Sequence, residues 1–272
     1  MLKEQATGIS IMAASPQPPW LKLMMVIGGA AFLGFSVLPF VGDFLAPTPT
    51  ATPSSPDERV SEEKGLELVL EKDPNNPYAL RALLEIRLRH KNLKGALPLL
   101  MRLAKNHPDV AEYHILLAQT QTELGDKEAA VGTYRAFLRR QPGNLLALVG
   151  VTDLLVQLQR PALAESLLHQ SLLRVKPNQA DVTGIQIQMA RVYLAQGKIP
   201  PALALLEQLI TQNPQDFRPL FAKAQLLQAL GKPQEAQPLF RKAAELAPPE
   251  HRDEIRRLAA ATQPRPTPTR SP

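Results

Sequence analysis

The sequence predicts an all-α protein built from a row of similar helical hairpins. Leu and Ala, both strong helix formers, supply most of the apolar residues, while aromatic residues make up only 5% of the chain. Runs that alternate Val, Ile or Thr with polar residues, which would indicate strands, are missing. Prolines able to end a helix recur at intervals of 34, 34, 35, 37 and 34 residues, at Pro74, Pro108, Pro142, Pro177, Pro214 and Pro248. A fixed period in this range indicates a solenoid of supersecondary units.

Residues 111–142 show the repeating unit in its clearest form. Two amphipathic helices flank a turn at Gly125, and small residues, Ala118 and Ala130, lie where the helices must touch. Pro142 ends the second helix because proline has no N–H and clashes with the preceding turn. One hairpin cannot bury its apolar face alone, so it requires copies of itself on either side.

Alanines keep phase with the prolines along the whole array. Four of them precede the helix-ending proline by twelve residues, and Ala164 precedes Pro177 by thirteen. The four are Ala96, Ala130, Ala202 and Ala236. The middle of the first helix carries its own small residue at Ala118, Ala190 and Ala224. The spacing therefore predicts that each second helix packs closely on its own first helix.

This combination resembles the tetratricopeptide-repeat family, whose 34-residue unit has a small residue in its first helix, Gly at the turn, Ala in its second helix and Pro at its end. The resemblance covers residues 57–261 and implies a right-handed superhelix of antiparallel helix pairs. Leu84 and Thr152 depart from the pattern because each replaces the small residue of the first helix with a larger one. We expect looser or shifted packing at both positions.

The resemblance implies five full repeats within residues 77–248. They are 77–108, 111–142, 145–177, 178–214 and 217–248. Residues 57–76 match only a second helix and are predicted to form a half-repeat cap. Residues 249–262 are predicted to form the helix that covers the last apolar face. Residues 263–272 are a Pro/Thr/Arg tail predicted to be disordered.

Two irregularities carry predictions of their own. The 37-residue interval predicts that the first helix of the fourth repeat is about one turn longer than its neighbours, begins near residues 178–181 and protrudes at one rim. Pro98 and Pro238 each follow the contact alanine by two residues, too deep for a first helical turn. Those two helices are predicted either to start late or to bend.

The N-terminal part of the sequence is typical of a membrane anchor. Residues 1–19 are polar and predicted to be disordered, and residues 23–42 are uncharged and mostly apolar. At about 1.5 Å per residue this run matches a hydrocarbon core of roughly 30 Å, and Trp20 and Lys22 suit its interface. We therefore predict a transmembrane helix over residues 20–44, with a cleaved signal peptide as the alternative. Residues 45–56 form a Pro/Thr/Ser linker predicted to be extended.

The positive residues near the anchor predict its orientation. Lys3 and Lys22 lie before the apolar run, whereas Arg59 lies further away on its other side and is mixed with acids. The bias favours an inside N-terminus. This predicts a single-pass membrane protein with its repeats on the extracytoplasmic side, periplasmic or lumenal, the alternative being the cytoplasmic side.

Signals for catalysis are missing from the sequence. No pair among the five histidines has a helical metal-binding spacing, and His114 is expected to be a packed helix residue. The chain has no cysteine and no Gly-rich phosphate loop outside the apolar run. We therefore predict no enzymatic activity, no metal site and no cofactor. The net charge of +6 is spread along the chain, so no nucleic acid is expected as a partner.

The resemblance implies binding without chemistry, on a concave face lined by the first helices. Partner-facing residues of such helices occupy their fifth and ninth places. In this chain they are Arg81, Glu85, Ile115, Gln119, Val149, Asp153, Ile187, Arg191, Phe221 and Gln225. The apolar members form a stripe that suits an amphipathic helix or an extended apolar segment of a partner protein. The alternative is that these side chains only fill the space between neighbouring first helices.

These observations predict a membrane-anchored scaffold or assembly factor that binds partner polypeptides. Its layout is similar to that of bacterial envelope scaffolds and of anchored family members that assist photosynthetic complex assembly in cyanobacteria and chloroplasts. One alternative is a structural or regulatory module of a membrane complex that self-associates, for which Ala30 and Gly34 provide a small-xxx-small pair. The other is an RNA-binding helical-repeat protein, supported by basic clusters such as Arg139-Arg140.

Overall fold

The computed structural model describes residues 56–176 and 180–261. Within these ranges the chain forms twelve α-helices and no strand. The helices are α1 (Pro56–Lys72), α2 (Pro77–Arg89), α3 (Leu93–Asn106), α4 (Ala111–Glu123), α5 (Lys127–Leu138), α6 (Leu145–Gln157), α7 (Pro161–Arg174), α8 (Val182–Ala195), α9 (Ile199–Gln212), α10 (Phe217–Ala229), α11 (Pro233–Leu246) and α12 (Pro249–Ala261). The ten helices from α2 to α11 form five antiparallel pairs, so the all-helical solenoid predicted from the sequence is confirmed.

Short polar residues fix where most of the first helices begin. The side-chain oxygens of Asn76 and Asn144 each accept a hydrogen bond of 3.0 Å from the backbone N–H three residues later. The Asp181 carboxylate likewise accepts a hydrogen bond of 2.9 Å from the backbone N–H of Gly184. Such bonds satisfy backbone N–H groups that have no partner inside the helix.

The turn inside each repeat requires a backbone conformation that glycine adopts without strain. Gly125, Gly197 and Gly231 have φ of 90°, 73° and 75°. In the first and third repeats the same turn position holds Lys91 and Gln159, with φ of 55° and 60°. A residue with a Cβ atom is strained in this left-handed region, so these two turns are less favourable than the other three.

The small residues lie where the sequence predicts them. All five phased alanines of the second helices are fully buried at 0% exposure: Ala96, Ala130, Ala164, Ala202 and Ala236. Ala118 and Ala224 in the first helices are also at 0%. The predicted register of the helix pairs is therefore confirmed by burial.

Neighbouring first helices approach each other more closely than neighbouring second helices do. Helix α4 contacts α6, α6 contacts α8, and α8 contacts α10. Among the described helices, no two neighbouring second helices make a contact of comparable extent. In a curved array the more crowded side is the inner one, so the first helices lie on the inner side of these repeats.

The prediction of a longer first helix in the fourth repeat is wrong. Helix α8 has 14 residues, close to the 13 of α6 and α10. Its start is fixed by the Asp181 cap, and the Asp181 carboxylate also pairs with Arg218 at the start of α10. Two of the three extra residues of the 37-residue interval therefore precede the helix, and the third lies within it.

Pro98 and Pro238 lie inside helices that do not start late. Helix α3 begins at Leu93 and α11 at Pro233, so each proline is the sixth residue of its helix. Each removes one intrahelical N–H, and both prolines are exposed, away from the core. The first of the two alternatives considered for these helices, a late start, is excluded.

The localisation prediction requires a correction. Within the ranges that the structure describes, no helix is long and apolar enough to cross a membrane. The longest, α1, has 17 residues, and at about 1.5 Å per residue it is shorter than a hydrocarbon core of roughly 30 Å. We therefore withdraw the assignment as a single-pass membrane protein with extracytoplasmic or cytoplasmic repeats.

Several N-terminal and C-terminal predictions fall on residues that the structure does not describe. They are the disordered segment 1–19, the anchor 20–44, the greater part of the linker 45–56, the small-residue pair Ala30 and Gly34, and the tail 263–272.

Candidate protein-binding face

The ten residues predicted to face a partner differ widely in exposure. Arg81 is exposed, and seven others are half-buried: Glu85, Gln119, Val149, Asp153, Arg191, Phe221 and Gln225. Ile115 and Ile187 are only 4% and 8% exposed and belong to the hydrophobic core. The side chains of Ile115 and Ile187 fill space between helices, as the alternative interpretation described. The predicted apolar stripe is therefore interrupted, and its accessible apolar members are Val149 and Phe221.

Phe221 of α10 rests on the core without being buried in it. Its ring meets the fully buried ring of Phe240 edge-on, with 5.8 Å between centroids and 66° between planes. This is a favourable aromatic geometry that fixes the orientation of the exposed part of Phe221. The half-buried ring therefore presents a preformed apolar surface on a first helix.

A polar network joins the third and fourth repeats at the contact between α6 and α8. We call Thr152, Asp153, Gln188 and Arg191 the α6–α8 network. The Thr152 hydroxyl donates to the Leu148 carbonyl at 2.7 Å, and Gln188 Nε2 donates to Thr152 Oγ1 at 2.7 Å and to Asp153 Oδ1 at 3.0 Å. Thr152 and Gln188 are almost completely buried. Because buried polar groups are costly without partners, these bonds fix the alignment of the two repeats.

The network explains one departure from the family pattern. Thr152 replaces a small apolar residue of the first helix, and looser packing was expected there. The structure instead buries Thr152 completely and satisfies its hydroxyl from both sides. Sequence reasoning missed Gln188. Its signal is that the position two residues before the small-residue position of each first helix is otherwise occupied by Ala, Leu or Gly in this chain.

Asp153 and Arg191 are two of the predicted partner-facing residues. Each shifts the pKa of the other across the boundary between the third and fourth repeats. Burial raises the pKa of Asp153 to about 6. The positive charge of Arg191 and the hydrogen bond from Gln188 both lower this pKa, but burial has the larger effect. Burial lowers the pKa of Arg191, and the Asp153 charge opposes this shift. The first-helix face therefore carries a partly desolvated acid and base near its middle.

Tyr134 of α5 reaches the same region from the second repeat. A Cβ atom at Gly150 would lie 2.5 Å from the Tyr134 hydroxyl oxygen, so glycine is required for this close approach. Burial raises the pKa of Tyr134, and the Asp153 carboxylate raises it further. The Tyr134 hydroxyl therefore lies against α6, close enough to Asp153 to feel its charge.

His114 packs against the core. Its ring stacks on Phe137 at 4.8 Å with 20° between planes, and its Nε2 atom is buried without a hydrogen-bond partner. Burial lowers the pKa of His114, which favours the neutral imidazole. The prediction of a packed helix residue is confirmed. Within the described ranges no group of three His, Asp or Glu side chains is placed to hold a metal ion.

Five stacked helix pairs with their first helices on the inner side define the class of helical-repeat proteins. Family models described as "Tetratricopeptide repeat" match residues 66–120, 115–144 and 187–251. The chain belongs to the tetratricopeptide-repeat family. Proteins of this family are typically non-catalytic scaffolds, and their fold binds peptides or other proteins.

Individual proteins are similar to this chain in sequence or in structure. The chain is 29% identical over 243 residues to "protein SLOW GREEN 1, chloroplastic" from Arabidopsis thaliana, covering 84% of this chain and 73% of that protein. A tetratricopeptide repeat protein from Parabacteroides merdae is 22% identical, with a TM-score of 0.49 and coverage of 77% and 89%. Yeast Tom70 is 15% identical, with a TM-score of 0.50, and the match covers 78% of this chain and 44% of Tom70. At 15% identity the match to Tom70 shows the fold alone.

Proposed function

We propose that the chain is a non-catalytic scaffold that binds a segment of a partner polypeptide on the face formed by its first helices. One observation carries this proposal. The half-buried apolar side chains of Val149 on α6 and Phe221 on α10 lie on the inner helices, and the α6–α8 network lies on α6 and on the helix between them. Preformed apolar surface beside a few fixed polar groups is the composition of a specific binding site.

The side chains indicate what kind of segment would bind. Phe221 and Val149 provide contacts for apolar side chains of the partner. Asp153 and Arg191 provide an acceptor and a donor for its polar groups in a partly desolvated setting, where hydrogen bonds discriminate strongly between partners. A short segment with two apolar anchors separated by polar backbone satisfies both requirements. Such binding would suit a scaffold or an assembly factor, because it holds a polypeptide without changing it.

The test compares variants on the two sides of the array. Phe221→Glu on the first-helix face should abolish co-purification of partner proteins from the native cells. Leu173→Glu is the matched control, because Leu173 lies on the second helix α7 and is 87% exposed. Gln225→Arg is a second test variant at a half-buried polar position of α10, one turn from Phe221. Melting temperatures of all three proteins are measured alongside.

The outcomes separate the proposal from its alternatives. Loss of the same partners in Phe221→Glu and Gln225→Arg, with Leu173→Glu unchanged, supports the first-helix face. Equal partner loss in the Leu173→Glu control contradicts it. Retention of RNA that weakens steeply with salt would favour an RNA-binding function instead.

A further inference from the structure

The second helices of the first three repeats hold the excess positive charge of the chain. These helices and the turns after them, residues 93–109, 127–144 and 161–176, contain nine Lys or Arg residues and three acids. Their net charge of +6 equals that of the whole chain, so all other Lys and Arg residues are balanced by acids. The net charge is therefore concentrated on these helices and is not spread evenly along the sequence.

The three acids of this region are already paired. Each one forms an ion pair of 2.7 to 3.0 Å with a cation of the following repeat: Asp109 with Arg140, Glu128 with Arg160, and Glu165 with Lys198. In contrast, Lys105, Arg135 and Arg139 are exposed and make no ion pair with any residue that the structure describes. Three cations of the second helices are therefore available to another molecule.

These three cations occupy equivalent places on α3 and α5. The two helices begin 34 residues apart, so Lys105 and Arg139, which caps the C-terminus of α5, have the same position. Arg135 is one turn before Arg139 and lies on the same side of α5. Met101 has the corresponding position in α3 and is 55% exposed. We call Met101, Lys105, Arg135 and Arg139 the basic face.

Hydrogen bonds between repeats hold the ends of these helices together. Arg140, directly after Arg139, donates to Asp109 in the turn that follows α3, at 3.0 and 3.2 Å. Arg174 of α7 donates from Nη2 to the Arg139 carbonyl at 2.7 Å. A further guanidinium group therefore lies beside the basic face.

Folding does not explain the cations of the basic face. Arg135 and Arg139 are like charges four residues apart, an arrangement that destabilises a helix. The helix macrodipole favours a cation near the end of every second helix. In α9 and α11, however, Thr211 and Glu245 occupy the position that Arg139 has in α5. The basic face is therefore a property of the first two repeats and does not follow from the repeat pattern.

The parts of the chain that the structure does not describe cannot supply the matching negative charge. Residues 1–55, 177–179 and 262–272 contain four Lys or Arg residues and only two acids, Glu4 and Asp43. They would add positive charge to the region and would not neutralise it. The complement of the basic face is therefore an acidic molecule from outside the chain.

The apolar side chains of α3 and α5 favour a protein as this molecule. RNA bases stack on exposed aromatic rings, and aromatic rings also insert at membrane interfaces. Tyr134 and Phe137 are the only Phe, Tyr or Trp residues of the two helices, and both are buried. Met101 instead exposes a flexible apolar side chain, which packs well on aliphatic groups of varied shape.

We propose that the basic face binds an acidic segment of a partner protein that also carries aliphatic side chains. The carboxylates of the segment pair with Lys105, Arg135 and Arg139, and each guanidinium group holds a carboxylate through two hydrogen bonds. The aliphatic side chains of the segment pack on Met101. The basic face lies on second helices, so this proposal does not depend on binding at the first-helix face.

A fluorescein-labelled peptide of four Asp-Glu-Leu units is the probe, and its binding to the full chain is measured by fluorescence anisotropy. We expect saturable binding that weakens as salt is added. A peptide of four Asn-Gln-Leu units, which keeps the leucines but has no side-chain carboxylate, should not bind. Arg135→Gln combined with Arg139→Gln should weaken binding of the acidic peptide at least about fivefold. Met101→Ser should weaken it about threefold.

Arg241→Gln combined with Lys242→Gln is the matched control, because it also removes two exposed positive charges from a second helix, α11. Its affinity for the acidic peptide should stay within about twofold of the wild-type value. Equal weakening by the two double variants would overturn the proposal, because only the net charge would then matter. Absence of acidic-peptide binding by the wild-type chain would overturn it as well.

Other occupants of the basic face give different results in the same variants. Single-stranded RNA or phosphatidylserine vesicles that bind more tightly than the acidic peptide, and that Arg135→Gln with Arg139→Gln releases, would contradict a protein partner. A dimer in sedimentation that this double variant dissociates would show that the face binds a second copy, which also contradicts the proposal. Melting temperatures of all variants, each at exposed positions, should match that of the wild-type chain.

Discussion

Single buried side chains decide how the third and fourth repeats are joined. Gln188 is the donor that satisfies both Thr152 and Asp153, and Thr152 in turn bonds to the backbone of its own helix. The sequence drew attention to Thr152 because it breaks the small-residue pattern. Gln188 also stands out, because Ala, Leu or Gly occupies its position in the other first helices, but its bonding partners depend on which side chains the neighbouring repeat places opposite it.

Gln188→Leu should therefore destabilise the protein by about 1–3 kcal/mol, because it leaves the Asp153 carboxylate and the Thr152 hydroxyl without their donor. The measurement is the free energy of unfolding from urea denaturation. Gln186→Leu is the control, since Gln186 is two residues away on α8 and half-exposed. Equal free energies for the two variants would show that the network does not stabilise the repeat boundary.

The contribution of Asp153 to the free energy of unfolding should fall as pH rises. Its pKa is raised from 3.8 to about 6 in the folded protein, so protonation favours the folded state. This contribution is fully present below pH 3.8 and is lost as pH rises through about 6. Relative to Asp153→Asn, the wild-type protein should gain about 1–3 kcal/mol between pH 7 and pH 4. Urea denaturation of both proteins at the two pH values measures this difference, and a constant difference would contradict it.

Within each helical hairpin, the residue at the turn determines whether the backbone there is strained. Gly125→Ala should destabilise the protein by about 1 kcal/mol, because it places a Cβ atom at a φ of 90°. Gln159→Gly should have the opposite sign, because it relieves the same strain at a φ of 60°. Thermal unfolding of both variants tests this, and a loss of stability in both would refute the assignment of strain to the turn.

Sequence reasoning succeeded for the hairpins because their contacts are local. The spacing of alanines and prolines determines which residues of paired helices touch, and burial of Ala96, Ala130 and Ala202 agrees with it. It failed for the start of α8, where it counted the three extra residues of the interval as helix. The cap at Asp181 and its pairing with Arg218 fix that start, and the second contact crosses a repeat boundary.

At the scale of the whole solenoid, the sequence could not determine which first-helix residues are accessible. Ile115 and Ile187 occupy the same places as Val149 and Phe221 in their helices, yet only the latter pair is half-exposed. The exposure of each side chain depends on which residues the neighbouring repeats place beside it, and the register of one repeat does not determine this. For the same reason the sequence did not show that Asp153 and Arg191 influence each other.

The first-helix face of the described solenoid combines Val149, Phe221 and a partly desolvated polar network in its third to fifth repeats.

Site-specific photo-crosslinking in the native cells tests the central proposal, binding on the first-helix face, most directly. A photoreactive residue at Gln225, on α10, is compared with one at Gln208, which is exposed on the second helix α9. We expect a discrete partner protein to be captured from position 225 and lost when Phe221→Glu is added, with no such product from position 208. Capture of the same protein from position 208 alone, or equally from both positions, would contradict binding on the first-helix face.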